Sequence, residues 1–364
     1  MKQTVLITGA RAPIALELAR SFNDAGHIVI MADCLHLTIA RWSNTIRKYY
    51  SIASPRYENS KFVSDIQKII QIENVTHFIP TCEETIFVSE HIDKFNCKVW
   101  TSEMSLILKL HNKFSFTQFT SPQFRIPETQ LLSDFSDWSH SDAYVFKPCY
   151  SRFASSVIIN KKIDEGYFSE NEKGKWIAQR KINGIEICVY SVWDNGIMKA
   201  YAAYHPLYRA GKGAGVFFEP VHNEDVFKQV KSFGEQIQYT GQLCFDVIVD
   251  QYNTPYFIEC NPRGTSGAHL LHEKLADIFL TEGLCKMDES KEYAIKQILF
   301  LFHFLASFTK RVRKSKDIIF RWNDMKPYFL QPLSMFELGI VKFKKGVSWL
   351  AATTENIEWN GHEN

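Results

Sequence analysis

Asp246, Glu259, Asn261 and Arg263 lie within one stretch, GQLCFDVIVDQYNTPYFIECNPR, running from Gly241 to Arg263. Two β-rich runs, Leu243–Val249 and Tyr256–Cys260, flank the polar Gln251-Tyr252-Asn253-Thr254, which predicts an antiparallel hairpin with a four-residue loop. On that register Asp250 faces Pro255, Ile248 faces Phe257 and Asp246 faces Glu259. Alternation then places Asp246, Glu259 and Asn261 on one face. Facing carboxylates have Cβ atoms ~5 Å apart and destabilise a sheet. A divalent cation between them reverses the sign, and carboxylate and amide oxygens are the hard ligands that Mg²⁺ (or Mn²⁺) takes. The competing reading is a hydrated acidic pair on a solvent-facing sheet.

Other cations and polar loops have spacings suited to a nucleotide. Tyr144-Val145-Phe146-Lys147-Pro148 is an apolar strand ending in a lysine that would meet a phosphate as a point charge. The polar loop after it, Cys149–Ser156, offers Ser151, Ser155, Ser156 and its own N–H groups. A lysine closing a strand is also an ordinary solvated residue. The strand Trp176–Ile182 runs through Asn183-Gly184 into a second strand with Glu186 near its start. A connector with free backbone groups reads an adenine edge, and a nearby carboxylate accepts from ribose hydroxyls; a plain hairpin turning at Gly184 is the other reading. Tyr208–Gly215, with three glycines and two cations, reads as a mobile lid over phosphates or as a flexible surface loop.

The first βα turn, Thr8-Gly9-Ala10-Arg11-Ala12-Pro13, and Asp33 at the end of the next strand have the outline of a dinucleotide site. Only one of its three glycines is present, so a tight βα turn is the favoured reading. An NAD(P)-dependent oxidoreductase is the alternative function that rests on this loop.

Composition removes other classes. A chain of 364 residues makes room for two or three domains. A net charge of +2 gives no global field for nucleic acid or a membrane surface. The longest apolar run, Ile298–Phe308, contains His303, falls short of the ~18 residues of a membrane span and reads as a buried helix. The N-terminus enters a strand directly, so no signal peptide is expected. Eight cysteines form no CxxC pattern, which fits a reduced, cytoplasmic setting. Lys310, Arg311, Arg313, Lys314 and Lys316 cluster near the C-terminus, as a solvated helix face or a docking patch for an anionic partner.

The elements that position these residues follow from periodicity. Val5–Thr8, His27–Ala32, His77–Pro80 and Lys98–Trp100 read as strands. They alternate with helices from Pro13, whose Ile14, Leu18 and Phe22 share a face, and around Ser64–Ile72. This alternation predicts a parallel sheet covered on both faces. Asn112–Phe119 reads as helix, Pro122 and Pro127 mark a connector, and Tyr144 to Asn261 is dominated by antiparallel strands, including one at Val157–Asn160. Beyond Thr281 the chain turns helical and basic.

Together, and in this order, these pieces resemble the ATP-grasp superfamily, most of all the stand-alone carboxylate–amine ligases related to the carbamoyl-phosphate synthase large chain. The resemblance covers roughly residues 1–285. It implies an α/β, Rossmann-like pre-ATP-grasp domain (1–111) and an α+β ATP-grasp domain (112–285, with subdomains about 112–178 and 179–285). A mostly helical C-terminal extension (286–364) follows. ATP and magnesium are the implied cofactors. The family's nucleotide-binding positions match Lys113, Lys147, Ser151, Ser155, Gln179, Lys181, Ile182 and Glu186. Its metal ligands match Asp246, Glu259 and Asn261, and its catalytic cations match Arg263, Lys147 and Arg209.

The implied reaction joins a small-molecule carboxylate, amino acids among the candidates, to an amine through an acyl-phosphate. No nucleic-acid or membrane partner is implied; a homodimer is compatible. A nucleotide-binding protein without catalysis is a further alternative. The sequence departs from the family at Ser151-Arg152-Phe153-Ala154-Ser155, which has no glycine where relatives have several. Arg152 either compensates there or faces a substrate carboxylate. In Thr81-Cys82-Glu83-Glu84, Glu83 or Glu84 is placed to take a substrate ammonium.

Overall fold

A computed structural model describes residues 1–152, 156–211 and 213–361. Five parallel strands form the N-terminal sheet: β1 (Thr4–Thr8), β2 (Ile28–Asp33), β3 (Lys48–Ser51), β4 (His77–Ile79) and β5 (Lys98–Val99), in the order β3-β2-β1-β4-β5. The helix Pro13–Asp24 begins at its proline, where no intrahelical N–H is lost. It packs Ile14, Leu18 and Phe22 against one face of the sheet, and the helix Asn59–Glu73 covers the other. β3 was missed by periodicity because none of its side chains is fully buried.

A small antiparallel sheet follows, with β8 (Trp176–Arg180) between β6 (Thr129–Leu131) and β7 (Tyr144–Pro148). The expected strand at Val157–Asn160 reduces to one bridge, Phe146 to Ile158. The third sheet is large. Its main path runs β13-β12-β9-β10-β11-β15-β16, from β9 (Gly184–Asp194), β10 (Ile197–Ala210), β11 (Ala214–Pro220), β12 (Gly241–Asp250), β13 (Pro255–Asn261), β15 (Tyr293–Ala294) and β16 (Lys316–Asp317). Off that path, β14 (Cys285–Lys286) pairs with β10. The last part of the chain is therefore not helical alone, since β15 and β16 extend this sheet from beyond residue 286.

Two apolar layers explain the large sheet's rigidity. On one side Tyr190, Val192, Ala268 and Phe279 share a core with Val5, Ile7 and Phe22 of the N-terminal unit. On the other, Phe245, Val247 and Phe257 pack with Phe124 and with Phe233 of the helix Glu224–Gln236. Phe124 stacks on Phe257 at 4.1 Å and on Phe233 at 4.3 Å between centroids.

Candidate active site

Asp246 lies opposite Glu259, as the hairpin pattern requires. The register then breaks: Val247 faces Phe257, so Ile258 is an extra residue on β13. The expected pairs Ile248–Phe257 and Asp250–Pro255 are thereby corrected to Ile248–Tyr256 and Val249–Pro255. Asp250 instead braces the loop, its Oδ1 accepting from the N–H groups of Tyr252 and Thr254, both at 2.9 Å.

The bulge does two things. It lets Phe257 and Cys260 enter the core while Glu259 turns to the opposite face, which strict alternation forbids. It also leaves the Ile258 carbonyl outside the ladder, and Lys147, the next-to-last residue of β7 on the small sheet, donates its Nζ to that oxygen at 2.9 Å. The site thus forms where the small and large sheets meet.

Lys113 arrives from a third element. Asn112 caps its helix, Oδ1 accepting from the N–H groups of Phe114 at 2.9 Å and Ser115 at 3.0 Å. That fixes the Lys113 backbone, whose N–H donates to the Cys149 carbonyl at 3.0 Å. Its buried ammonium lies 3.3 Å from Glu259 Oε1 and donates to the Ser151 carbonyl at 3.0 Å.

Burial and the charge of Lys113 push Lys147 down to about 8, against the pull of Glu259 and Asp246. Burial alone would raise Glu259, but Lys113 and Lys147 hold it below its ordinary value. Asp246 goes the other way. Burial, then the charges of Glu259 and Glu186, raise it well above the usual aspartate range.

Glu186 stands beside Asp246 rather than apart from the acids. Glu186, Cys188 and Asp246 each bring one potential ligand atom, all within 4.8 Å of one another. Arg209 answers part of this charge, its Nη2 lying 2.5 Å from Glu186 Oε2. The expected lid at Tyr208–Gly215 is corrected to the tip of the β10–β11 hairpin. There the Arg209 Nη1 donates to the Gly213 carbonyl at 2.7 Å, and His303 Nε2 donates to the Arg209 carbonyl at 2.7 Å. Ladder bonds and His303 hold this segment, which glycine content alone does not show. Lys212 lies outside the described residues, as does Ser155.

The adenine-linker residues divide. Gln179 is central in the small sheet, paired with Thr129 and Val145, and its side chain donates to Thr129 Oγ1 at 3.0 Å. Its backbone is therefore engaged, against the expectation of a free connector. Lys181 donates its N–H to the Ala143 carbonyl at 2.9 Å and its ammonium to Asn160 Oδ1 at 2.6 Å. Ile182 has no backbone hydrogen bond among the described residues.

Arg263 ties the hairpin to the N-terminal unit. Its Nε donates to Glu83 Oε1 at 2.9 Å and its Nη2 to Asn261 Oδ1 at 3.1 Å. The next residue must be glycine for this approach, since a Cβ on Gly264 would fall 2.5 Å from Ile14 Cδ1 and 2.9 Å from the Thr81 carbonyl. Arg152 brings its Nε to 2.9 Å from Glu83 Oε2, and His111 Nε2 lies 3.5 Å from the same oxygen. Burial would raise Glu83, yet the charges of Arg152, His111 and Arg263 hold it well below the usual carboxylate range.

Arg152 also reaches the end of the chain, donating to the Trp359 carbonyl at 2.5 Å and to Asn360 Oδ1 at 2.9 Å. Sequence reading used only the lysine of His111-Asn112-Lys113 and missed the histidine. Glu84 is a brace, its Oε1 accepting from Thr8 Oγ1 at 2.8 Å and the Thr81 N–H at 3.0 Å.

The dinucleotide reading loses its acceptor. Gly9 turns the chain at φ +75°, but Asp33 is filled from within, accepting from the Arg11 N–H at 3.1 Å, the Arg11 Nε at 3.1 Å and the Leu35 N–H at 2.9 Å.

Residues 110–267, which hold the lysines, the acids and Arg263, match the ATP-grasp domain family. That stretch is similar to an ATP-grasp domain. Solved structures with this fold resemble most of the chain. N5-carboxyaminoimidazole synthetase from Staphylococcus aureus superposes at a TM-score of 0.64 and 13% identity, over 90% of this chain and 92% of that one. Biotin carboxylase from Campylobacter jejuni gives 0.60 and 14%, over 80% and 73%. L-amino acid ligase from Bacillus licheniformis gives 0.58 and 12%, over 76% and 73%. No curated protein sequence matches the chain. Among the described residues, no helix is long and apolar enough to cross a membrane.

Proposed function

We propose that this chain is an ADP-forming ligase, which uses ATP to convert a small-molecule carboxylate to an acyl-phosphate and passes the acyl group to an amine. One observation carries the reading. Asp246 lies opposite Glu259 on one hairpin face, and two buried lysines from different elements gather there, Lys113 3.3 Å from Glu259 and Lys147 on the neighbouring Ile258 carbonyl. Excess charge on hard oxygen donors fits a divalent cation. Asp246, Glu259 and Asn261 would hold Mg²⁺, with Glu186 adjacent, and the ion when bound supplies positive charge to the phosphates.

The chain's own groups do the rest. Lys113 and Lys147 orient phosphate oxygens at a place shielded from water. Ile182 offers free backbone groups to the adenine. Arg263 and Arg152, gathered at Glu83, orient a substrate carboxylate, and Arg209 stands on the acid side of the same cleft. Shielding matters because an acyl-phosphate open to solvent hydrolyses.

In this reading residues 1–111 form the pre-ATP-grasp domain and 112–285 the ATP-grasp domain. The remaining residues wall one side of the site through Trp359 and Asn360. The amine is a small molecule, with amino acids the first class to try. Solved neighbours named as an amino acid ligase and as an ADP complex of N5-carboxyaminoimidazole synthetase support this choice.

The test is an ADP-release screen over paired carboxylates and amines. Release requiring both partners, and abolished in Glu259→Gln with an unchanged circular dichroism spectrum, is expected. Wild-type turnover in that variant contradicts the assignment.

A further inference from the structure

The segment 296–345 carries eleven Lys and Arg against three Asp and Glu, although the whole chain has a net charge of only +2. The rest of the chain is therefore net acidic, and the molecule is polarised. The same segment exposes its apolar side chains. Leu301 is 72% exposed, Leu305 84%, Trp322 81% and Phe343 90%. The run expected as a buried helix is instead two short helices, Lys296–Phe302 and Phe304–Ser307, with most of its large side chains facing out. Phe300, Phe304 and Phe308 meet edge-to-face at 5.0 Å between successive centroids, all three exposed.

These helices and the helix Gln331–Lys345 border an open cleft of about 750 Å³. Ile298, Leu301, Phe308 and Met335 line it together with Lys296 and Arg313. On the long helix Phe336, Ile340 and Phe343 follow one stripe, and Lys342, Lys344 and Lys345 stand among them.

We propose that this face docks on an anionic lipid surface, its Phe and Leu side chains entering the acyl boundary and its lysines and arginines meeting the headgroups. Protruding Phe, Leu and Trp beside Lys and Arg is the composition of interfacial helices. Large contiguous apolar patches are uncommon on free surfaces of monomers. A second copy of the chain is the poorer occupant, because two such faces would bring like charges together. The whole-chain charge concealed this feature, since acids elsewhere cancel it. His303, which holds the Arg209 carbonyl, lies within the docking run, so the face adjoins the site.

The test is co-sedimentation of the full chain with vesicles of phosphatidylcholine alone and of phosphatidylcholine mixed with phosphatidylglycerol. Binding is expected to the mixed vesicles, to weaken with salt, and to fall about five-fold for each cation removed in Arg313→Gln and Lys314→Gln. The pair Leu301→Glu and Leu305→Glu changes exposed positions and should abolish binding while leaving the circular dichroism spectrum unchanged. Failure to bind the mixed vesicles overturns the proposal, as does undiminished binding by the glutamate pair. A vesicle-free dimer that the same pair dissolves also overturns it, by giving the face to a second copy.

Discussion

Asp33 and Asp246 show how differently one fold treats two enclosed aspartates. Asp33 closes β2 and meets its counter-charge inside the chain, with Arg11 donating from both backbone and side chain and Leu35 adding an N–H. Asp246 lies on β12 opposite one acid and near another, with Arg209 the nearest answer and that cation already 2.5 Å from Glu186. An acid that serves the fold is completed by the chain. One left in excess charge costs stability and needs an outside partner to justify it. The difference also separates the two readings of the sequence, since the Gly9 turn is closed and the hairpin face is open.

Four changes probe that contrast. Glu259→Gln removes the acid on which both lysines converge, and ATP turnover should fall by about 10³-fold or more in an ADP-release assay, the scale of losing one electrostatic anchor. Arg11→Ala should instead act on folding. It leaves Asp33 buried without its cation, at a cost of about 3–5 kcal/mol by denaturant titration, while protein that remains folded keeps its turnover.

Lys147 supplies a pH test. Its value of about 8 lies below the 10.5 of an open lysine. Between those values the unfolded chain binds the extra proton, so ligand-free stability from this group rises with pH across that window. ATP binding, which needs the ammonium, should weaken above about pH 8 by up to about ten-fold per pH unit, and Lys147→Arg should move that flank upward.

Asp246→Asn gives the smallest effect on stability and the most contrary sign. The folded-state value lies above the unfolded one, so ionised Asp246 costs stability at neutral pH. That cost shrinks as pH falls below the folded-state value and is gone only below the ordinary value of 3.8. The substitution should raise the ligand-free melting temperature by about 2 °C while turnover is lost. A drop in melting temperature would place Asp246 with Asp33, as a satisfied structural acid.

The parallel N-terminal sheet was legible because its strands are short apolar runs between amphipathic helices, and β3, with no fully buried side chain, was not. The Asp246–Glu259 pair was legible from side-chain period and loop length, although the turn is one residue longer than expected and the extra residue Ile258 restores the register. The bulge at Ile258 was not, because the reason for it, the Lys147 ammonium, comes from more than a hundred residues away. The same distance hid the gathering of His111, Arg152 and Arg263 on Glu83, which joins three separate parts of the chain. The hairpin at Tyr208–Gly215 was missed for the opposite reason. Three glycines read locally as a loop, but Arg209 pairs with Gly215 and Ala210 with Ala214 across the β10–β11 ladder.

Equilibrium dialysis of labelled ATP, with and without Mg²⁺, against wild type and the Asp246→Asn, Glu259→Gln pair tests the central claim most directly. Wild type should bind only with magnesium present, and the double variant should not bind at the same concentrations. Equal binding by both proteins, or wild-type binding indifferent to the metal, would contradict that claim.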